Sequence, residues 1–187
     1  MKKRLLTVLA ILTGMLLLSA SIVWAQPAPV AKTGQTISYV TGDDGDLQKG
    51  VASPSPRFTD HGDGTVTDNL TGLMWAKDAD MAGGLLGWYQ AINYVDNLTL
   101  GISCGGEYTD WRLPNVRELQ SLIDFGHYDP ALPTGHPFTS VQSDYYWSST
   151  VVTFMEGAWY VSMKVGYAYF YYDVSTPHYV WPVRGGN

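Results

Sequence analysis

Residues 145–184 read YYWSSTVVTFMEGAWYVSMKVGYAYFYYDVSTPHYVWPVR. This stretch holds eight of the chain's thirteen tyrosines, three of its seven tryptophans and two of its five phenylalanines. Aromatic and β-branched residues at that density suit pleated, half-buried strands better than helices. Short strands are expected at 145–150, 158–163, 167–172 and 179–184, with turns near 156–157, 165–166 and 175–177. Side chains alternate along a strand, so Tyr167, Tyr169 and Tyr171 share one face, and Ala168, Phe170 and Tyr172 the other. Both faces are aromatic, yet one interior has room for only half of these rings. The surplus marks a contact surface, because tyrosine combines a broad apolar ring with a polar tip and few rotors. Candidate contacts are Tyr167, Tyr169, Phe170, Tyr171, Tyr172, Asp173 and Tyr179, joined by Val152 and Phe154 from the adjoining loop.

Upstream of this stretch lies the run WRLPNVRELQSLI, residues 111–123. Pro114 keeps Leu113 extended. Asn115 has the chemistry of a helix cap, and Glu118 three residues later completes a capping box. Val116, Leu119, Leu122 and Ile123 form the apolar stripe of that helix. Arg112 and Glu118 are read as structural, the arginine pinning the strand end and the glutamate closing the cap. A second amphipathic helix is expected over 88–98, where Trp88, Ala91, Ile92, Val95 and Leu98 recur at helical spacing. Residues 57–77 read as three short strands, with DHGDG and NLTG supplying the turns. Residues 101–109 read as a loop. Residues 124–144, with Pro130, Pro133 and Pro137, read as a long covering loop. The fold class is therefore α+β, with two helices packed on antiparallel β-sheets and long loops between them.

The chain opens with Lys2, Lys3 and Arg4, an apolar run over 5–18 and a Val23-Trp24-Ala25 cleavage pattern, the signature of an export signal. Residues 1–25 are therefore expected to be removed, 26–56 to form a partly ordered leader, and 57–187 to form the domain. No second run of membrane-spanning length follows, so no membrane contact is expected after removal. The whole chain carries a net charge of −6, and losing three basic residues makes the remainder more acidic. Without clustered Lys or Arg, nucleic acid is not an expected partner. The single cysteine, Cys104, rules out an internal disulfide and reads as a reduced thiol in a loop.

Metal and catalytic chemistry find little support. The spacing of Asp60, Asp63 and Asp68 approaches a calcium loop but lacks the alternating ligands and distal glutamate of an EF-hand, so these residues read as turn acids. The Asp43-Asp44-Gly45-Asp46 run reads as an acidic turn in the same way. His127 and His136, nine residues apart in a proline-rich loop, are weak metal candidates, and His61 reads as solvated. No cofactor is expected. Asp124, Asp129, Asp144 and Glu156 are scattered loop acids rather than a glycosidase pair, and no catalytic residue is assigned.

The segments PRFTDHGDGTVTDNLTGLMWAKDA, TDWRLPNVRELQSLID, YYWSST, AWYV and VWPVRGG resemble the Lcl C-terminal domain family, named for the C-terminal domain of a bacterial collagen-like adhesin. The resemblance runs from about residue 34 to 187. It implies an exported domain, periplasmic, extracellular or on the cell surface, with adhesion or glycan binding in some members. It also implies a layout similar to the C-type lectin-like fold of formylglycine-generating-type domains. The calcium-site motifs of sugar-binding C-type lectins and the catalytic cysteine pair of formylglycine-generating enzymes are absent, so neither chemistry is carried over. Such folds also serve as variable proteins of diversity-generating retroelements, whose adenine rewriting turns AAC codons into codons that never encode Lys, Glu, Gln, Met or Trp. Residues 165–179 contain none of those five. The expected function is non-enzymatic capture of a glycan or surface protein. The alternatives are a structural subunit of a homo-oligomeric surface assembly and, less favoured, an envelope enzyme acting on glycans.

Overall fold

The structure, a computed structural model, describes residues 30–103 and 106–186. The expected export signal and Cys104 lie outside the described residues. In chain order the elements are α1 (Asp44–Leu47), β1 (Phe58–Asp60), β2 (Thr65–Asp68), β3 (Met74–Ala76), α2 (Trp88–Asp96), β4 (Leu100–Ser103), β5 (Gly106–Tyr108), α3 (Val116–Ser121), β6 (Tyr145–Val151), β7 (Ala158–Ser162), β8 (Ala168–Tyr171) and β9 (Val183–Arg184). They form a four-stranded sheet ordered β1-β2-β3-β9, a β4-β5 hairpin and a three-stranded sheet ordered β6-β7-β8. All strand pairs are antiparallel. The fold is α+β, with few helices. Among the described residues no helix is long and apolar enough to cross a membrane.

Helix α3 follows the residues that announce it. The Asn115 side chain accepts from the amides of Arg117 and Glu118 at 2.9 and 3.0 Å, and Glu118 Oε2 accepts from the Asn115 amide at 2.7 Å. Two of the four orphan donors of the helix start are thus satisfied by its own cap, and the Asn115 amide by the returning glutamate. Glu118 is also gripped by both terminal nitrogens of Arg112, at 2.8 and 2.7 Å. Hydrogen bonds from that guanidinium and the Asn115 amide hold its carboxyl below the ordinary range, against the upward pull of burial, which is the largest single influence. The pair is structural, as its position between the strand end and the helix cap requires.

Residues 101–109 do not form the loop that the sequence implies. They build β4 and β5, and the register shifts between Leu100 and Ile102. A bulge of this kind breaks the two-residue period by which a strand is recognised. Gly101 sits there at φ 81°, and an added Cβ would lie 2.6 Å from Thr65 Cγ2 and 2.9 Å from Tyr108. No larger residue fits that approach. Residues 124–144 contain no helix or strand, but they are tied down: Ala131 N donates to Met163 O at 2.7 Å, and Thr139 N to Lys77 O at 2.8 Å.

Two clusters of buried side chains form the interior. The larger surrounds Trp75, Phe138, Tyr146 and Trp181, between the four-stranded sheet, α3 and the base of β6 and β7. Trp181 meets Phe138 edge-on at 4.9 Å and Trp75 at 5.8 Å, and its Nε1 donates to Ala76 O at 2.9 Å. The smaller cluster packs Trp147, Ala158 and Tyr160 against Ala91 and Val95 of α2, with Leu113 and Val180. Trp181→Ala removes a fully buried indole that joins three elements. It should cost about 3–5 kcal/mol, the range for truncating a large core aromatic, as read by urea unfolding.

Candidate ligand-binding surface

The β6-β7-β8 register sorts the aromatic residues into two faces. Trp147 lies opposite Tyr160, and Tyr160 opposite Tyr169; Tyr145 lies opposite Ser162, and Ala158 opposite Tyr171. These residues share one face with Tyr167. Val161 lies opposite both Tyr146 and Ala168, and Trp159 opposite Phe170, which sets these residues on the other face. The alternation expected for 167–172 is the one present.

On the first face Tyr160 is the hub. Its ring centroid lies 4.9 Å from Tyr145, 6.4 Å from Tyr167, 6.5 Å from Tyr169 and 6.4 Å from Tyr171. Tyr160 is buried, Tyr145 and Tyr171 are half-buried, and Tyr167 and Tyr169 stand 43% and 55% exposed. Beneath them the ring of His178, only 6% exposed, packs 4.3 Å from Trp147, 5.1 Å from Tyr160 and 5.4 Å from Tyr145. Its Nε2 has no hydrogen-bond partner among the described residues. Burial holds its pKa below the usual value, opposed by the Pro177 carbonyl and the Asp144 charge. The Tyr167 hydroxyl donates to Tyr145 Oη at 3.1 Å, and that bond, with burial, pushes the Tyr167 pKa up. The Tyr167 hydroxyl is therefore held as a neutral donor and acceptor.

On the second face Trp159 is half-buried. Phe170 meets it edge-on at 5.6 Å, and Phe154 adjoins Phe170 at 6.0 Å. A groove of about 690 Å³ separates this face from α3, lined by Asn115, Val116, Arg117, Gln120, Thr150, Trp159 and Ala168. Arg57, Arg112 and Arg184 are each bound to a carboxylate, whereas exposed Arg117 has no ion-pair partner among the described residues. An aromatic floor with a free guanidinium and an amide at its wall offers donors to an oxygen-rich ligand.

Strand β8 joins the faces. Neighbouring rings stack around it, Tyr169 on Phe170 at 4.9 Å and 14°, and Tyr171 on Tyr172 at 5.5 Å and 7°. Tyr172 and Phe154 are each 71% exposed. Asp173 is exposed beyond the strand and accepts from Ser175. The expected contacts thus divide. Tyr167, Tyr169, Tyr172, Asp173 and Phe154 are open to solvent, and Phe170 and Tyr171 are half-open. Val152 is 7% exposed and supports the hairpin from inside, and Tyr179 is half-buried against Tyr146, with ring centroids 5.6 Å apart. Tyr145, Trp159 and Arg117 also adjoin this surface, with Tyr160 buried beneath it, and none of the four is among the contacts expected from sequence. Trp159 is findable by counting back across the hairpin turn, since Lys164 to Gly166 leave little freedom in register. Nothing local links Arg117 to a strand over forty residues later.

Asp60, Asp63 and Asp68 do not converge. Asp60 pairs with Lys77 at 2.7 Å; Asp63 accepts from Thr65; Asp68, fully buried, takes two bonds from Arg57 at 2.7 and 2.9 Å. Among the described residues no group of three or more His, Cys, Asp or Glu is placed to hold a metal. Asp43 caps α1, accepting from the Asp46 amide at 2.9 Å.

An α+β domain with an aromatic strand at its sheet edge is the class that fold and surface define. The chain belongs to the Lcl C-terminal domain family, whose match spans residues 64–184, from the first hairpin turn to the last strand. No curated protein matches it.

The buried His178 makes stability depend on pH. An unfolded histidine takes up a proton near pH 6.5, whereas the folded one does so only at lower pH, so the unfolded state binds more protons in between. Stability is full above about pH 6.5 and falls as pH drops through the folded value. His136, also lowered by burial, adds the same sign. The melting temperature should decline from pH 7 to 5, before the carboxylates protonate, and the decline should be smaller in His178→Phe. An unchanged slope in that variant means another group titrates there.

Proposed function

We propose that this chain is an exported, non-enzymatic, adhesin-like surface domain that captures a glycan or surface protein on the β6-β7-β8 sheet. The observation that carries the reading is the exposure of Tyr167, Tyr169, Tyr172 and Phe154 beside two interiors that are complete without them. Apolar rings grouped at one edge of a domain are a recognised sign of a binding surface. Tyrosine hydroxyls add hydrogen bonding without charge, which suits sugar hydroxyls and peptide groups equally. The Trp159 groove, with Arg117 and Gln120 at its wall, is where a ring-shaped, oxygen-rich group would seat. Family membership supports the adhesin-like class. A C-type lectin-like layout is part of the same proposal, supported by short helices set against separate antiparallel sheets.

The test is a glycan array and a surface-protein pull-down with the purified protein, repeated with Tyr169→Ala/Tyr172→Ala and with Trp159→Ala. Binding should fall at least about tenfold in the double variant, the usual weight of exposed aromatic contacts, while its melting temperature stays within a few degrees. A large loss of stability would assign those rings to the interior and remove the basis of the proposal.

A second reading concerns variability. The run 165–179, free of Lys, Glu, Gln, Met and Trp, coincides with β8 and its flanks, which carry the exposed rings of Tyr167, Tyr169 and Tyr172. A retroelement-diversified surface would occupy such a position. A near-duplicate of this coding stretch beside a reverse-transcriptase gene is then expected in the neighbouring DNA, and its absence refutes the idea.

A further inference from the structure

We infer that β8 is an assembly edge, through which two copies of this chain pair antiparallel about a two-fold axis and merge their three-stranded sheets into one. β8 hydrogen-bonds to β7 on one side, and no described strand lies on the other. Ser162 N donates to Tyr167 O at 2.9 Å, and the register continues through Tyr160–Tyr169 and Ala158–Tyr171. In an antiparallel pair, hydrogen-bonded and non-bonded positions alternate. Tyr167, Tyr169 and Tyr171 therefore direct their backbone groups at β7, and Ala168 and Phe170 direct theirs outward.

Folded domains ordinarily blunt such an edge with charge, proline, a bulge or a covering segment. The other edges of the two larger sheets are treated that way. β1 follows Pro56 and Arg57 and ends at Asp60. β9 is two residues long and includes Arg184. The outer side of β6 is covered by the chain at Tyr179, which bonds to Tyr145 O at 2.9 Å and Trp147 N at 3.0 Å. β8, reading Ala168-Tyr169-Phe170-Tyr171, has no charge and no proline, and its register with β7 runs without a shift. Among the described residues it is the one edge of these two sheets left bare.

The charges beside β8 decide the occupant and its direction. Lys164 is exposed in the turn before the strand and has no ion-pair partner among the described residues; Asp173 is exposed just after it. When two copies pair antiparallel about Tyr169, Ala168 of one faces Phe170 of the other and the Lys164 turn of each lies alongside Asp173 of the other, giving two reciprocal ion pairs. Parallel pairing would set like charges together. A self-complementary edge of this kind is what a two-fold interface requires. It also places the exposed tyrosines of both copies on one continuous face.

Sedimentation equilibrium of the purified protein across a wide concentration range tests the pairing. A reversible dimer is expected. Phe170→Lys, which charges the bare edge, should leave monomer with unchanged circular dichroism. Lys164→Glu and Asp173→Lys should each weaken the dimer about tenfold, from two attractive contacts made repulsive, and the double reversal should restore it. If Phe170→Lys fails to fold, the charge-reversal arms decide. A protein monomeric at every concentration, a dimer indifferent to Phe170→Lys, or single reversals without recovery in the double, overturns the proposal. Loss of ligand binding bears only on the aromatic faces, so the two proposals fail separately.

Discussion

The last strand segment of the chain carries the architecture. His178 exchanges backbone hydrogen bonds with Leu86, Tyr179 pairs with β6, Trp181 fills the larger interior, and Val183 pairs with both Trp75 and Arg112. One short segment thus stitches the region before α2, both main sheets and the strand end before α3. Without this segment each of the two larger sheets would have one more unpaired edge, at β3 and at β6. Its contacts are long-range, and closing them costs loop entropy that only the buried indole and the paired backbone offset. The β7-β8 hairpin is outside this stitching and is held from one side.

Much of this arrangement is legible in the residues, and the rest is not for identifiable reasons. The α3 cap is legible because Asn115, Pro114 and Glu118 act on atoms within three residues of themselves. The three strands over 57–77 are legible because glycines and aspartates mark their turns. β4 and β5 are hidden because the Gly101 bulge breaks the alternation on which recognition depends. For the candidate surface, the excess of rings is a matter of composition and can be counted. Which rings stay outside is a matter of packing: Tyr146 and Tyr160 are buried, and Tyr169 is not, although all lie in similar aromatic strands. Val152 looks like a loop residue by position and is interior because the loop folds back on Ala158.

Electrostatics narrows what remains available for partners. In an acidic chain most of the described arginines are committed to structure. Arg57 neutralises the buried Asp68 and also donates to Ser121 O at 2.7 Å; Arg112 serves the α3 cap; Arg184 bonds Asp110 and lies over the Tyr108 ring at 3.7 Å. Removing one partner from such a pair leaves a partly desolvated charge, so these residues are poor candidates for a changeable recognition role. Arg117 and Lys164 stand apart. One faces the Trp159 groove and the other flanks β8, and both lie beside the aromatic sheet.

The position of β8 separates stability from recognition. A residue in the interior of a sheet is constrained by neighbours on two sides and by both faces. A residue on β8 meets one neighbouring strand, and its ring stacks mainly on the ring next to it in sequence. Ala168 and Tyr171 still pack against the two interiors, but changing Tyr169 or Phe170 alters the surface offered to a partner while leaving the Trp75–Phe138–Trp181 interior and the terminal stitching untouched. Substitutions at exposed positions away from caps and buried networks commonly move stability by about 0.5 kcal/mol or less. An edge strand rich in rings can therefore change its surface at little structural cost, provided its backbone keeps the register that Tyr160 and Ala158 impose. That separation is the property a binding surface needs when its scaffold must stay the same.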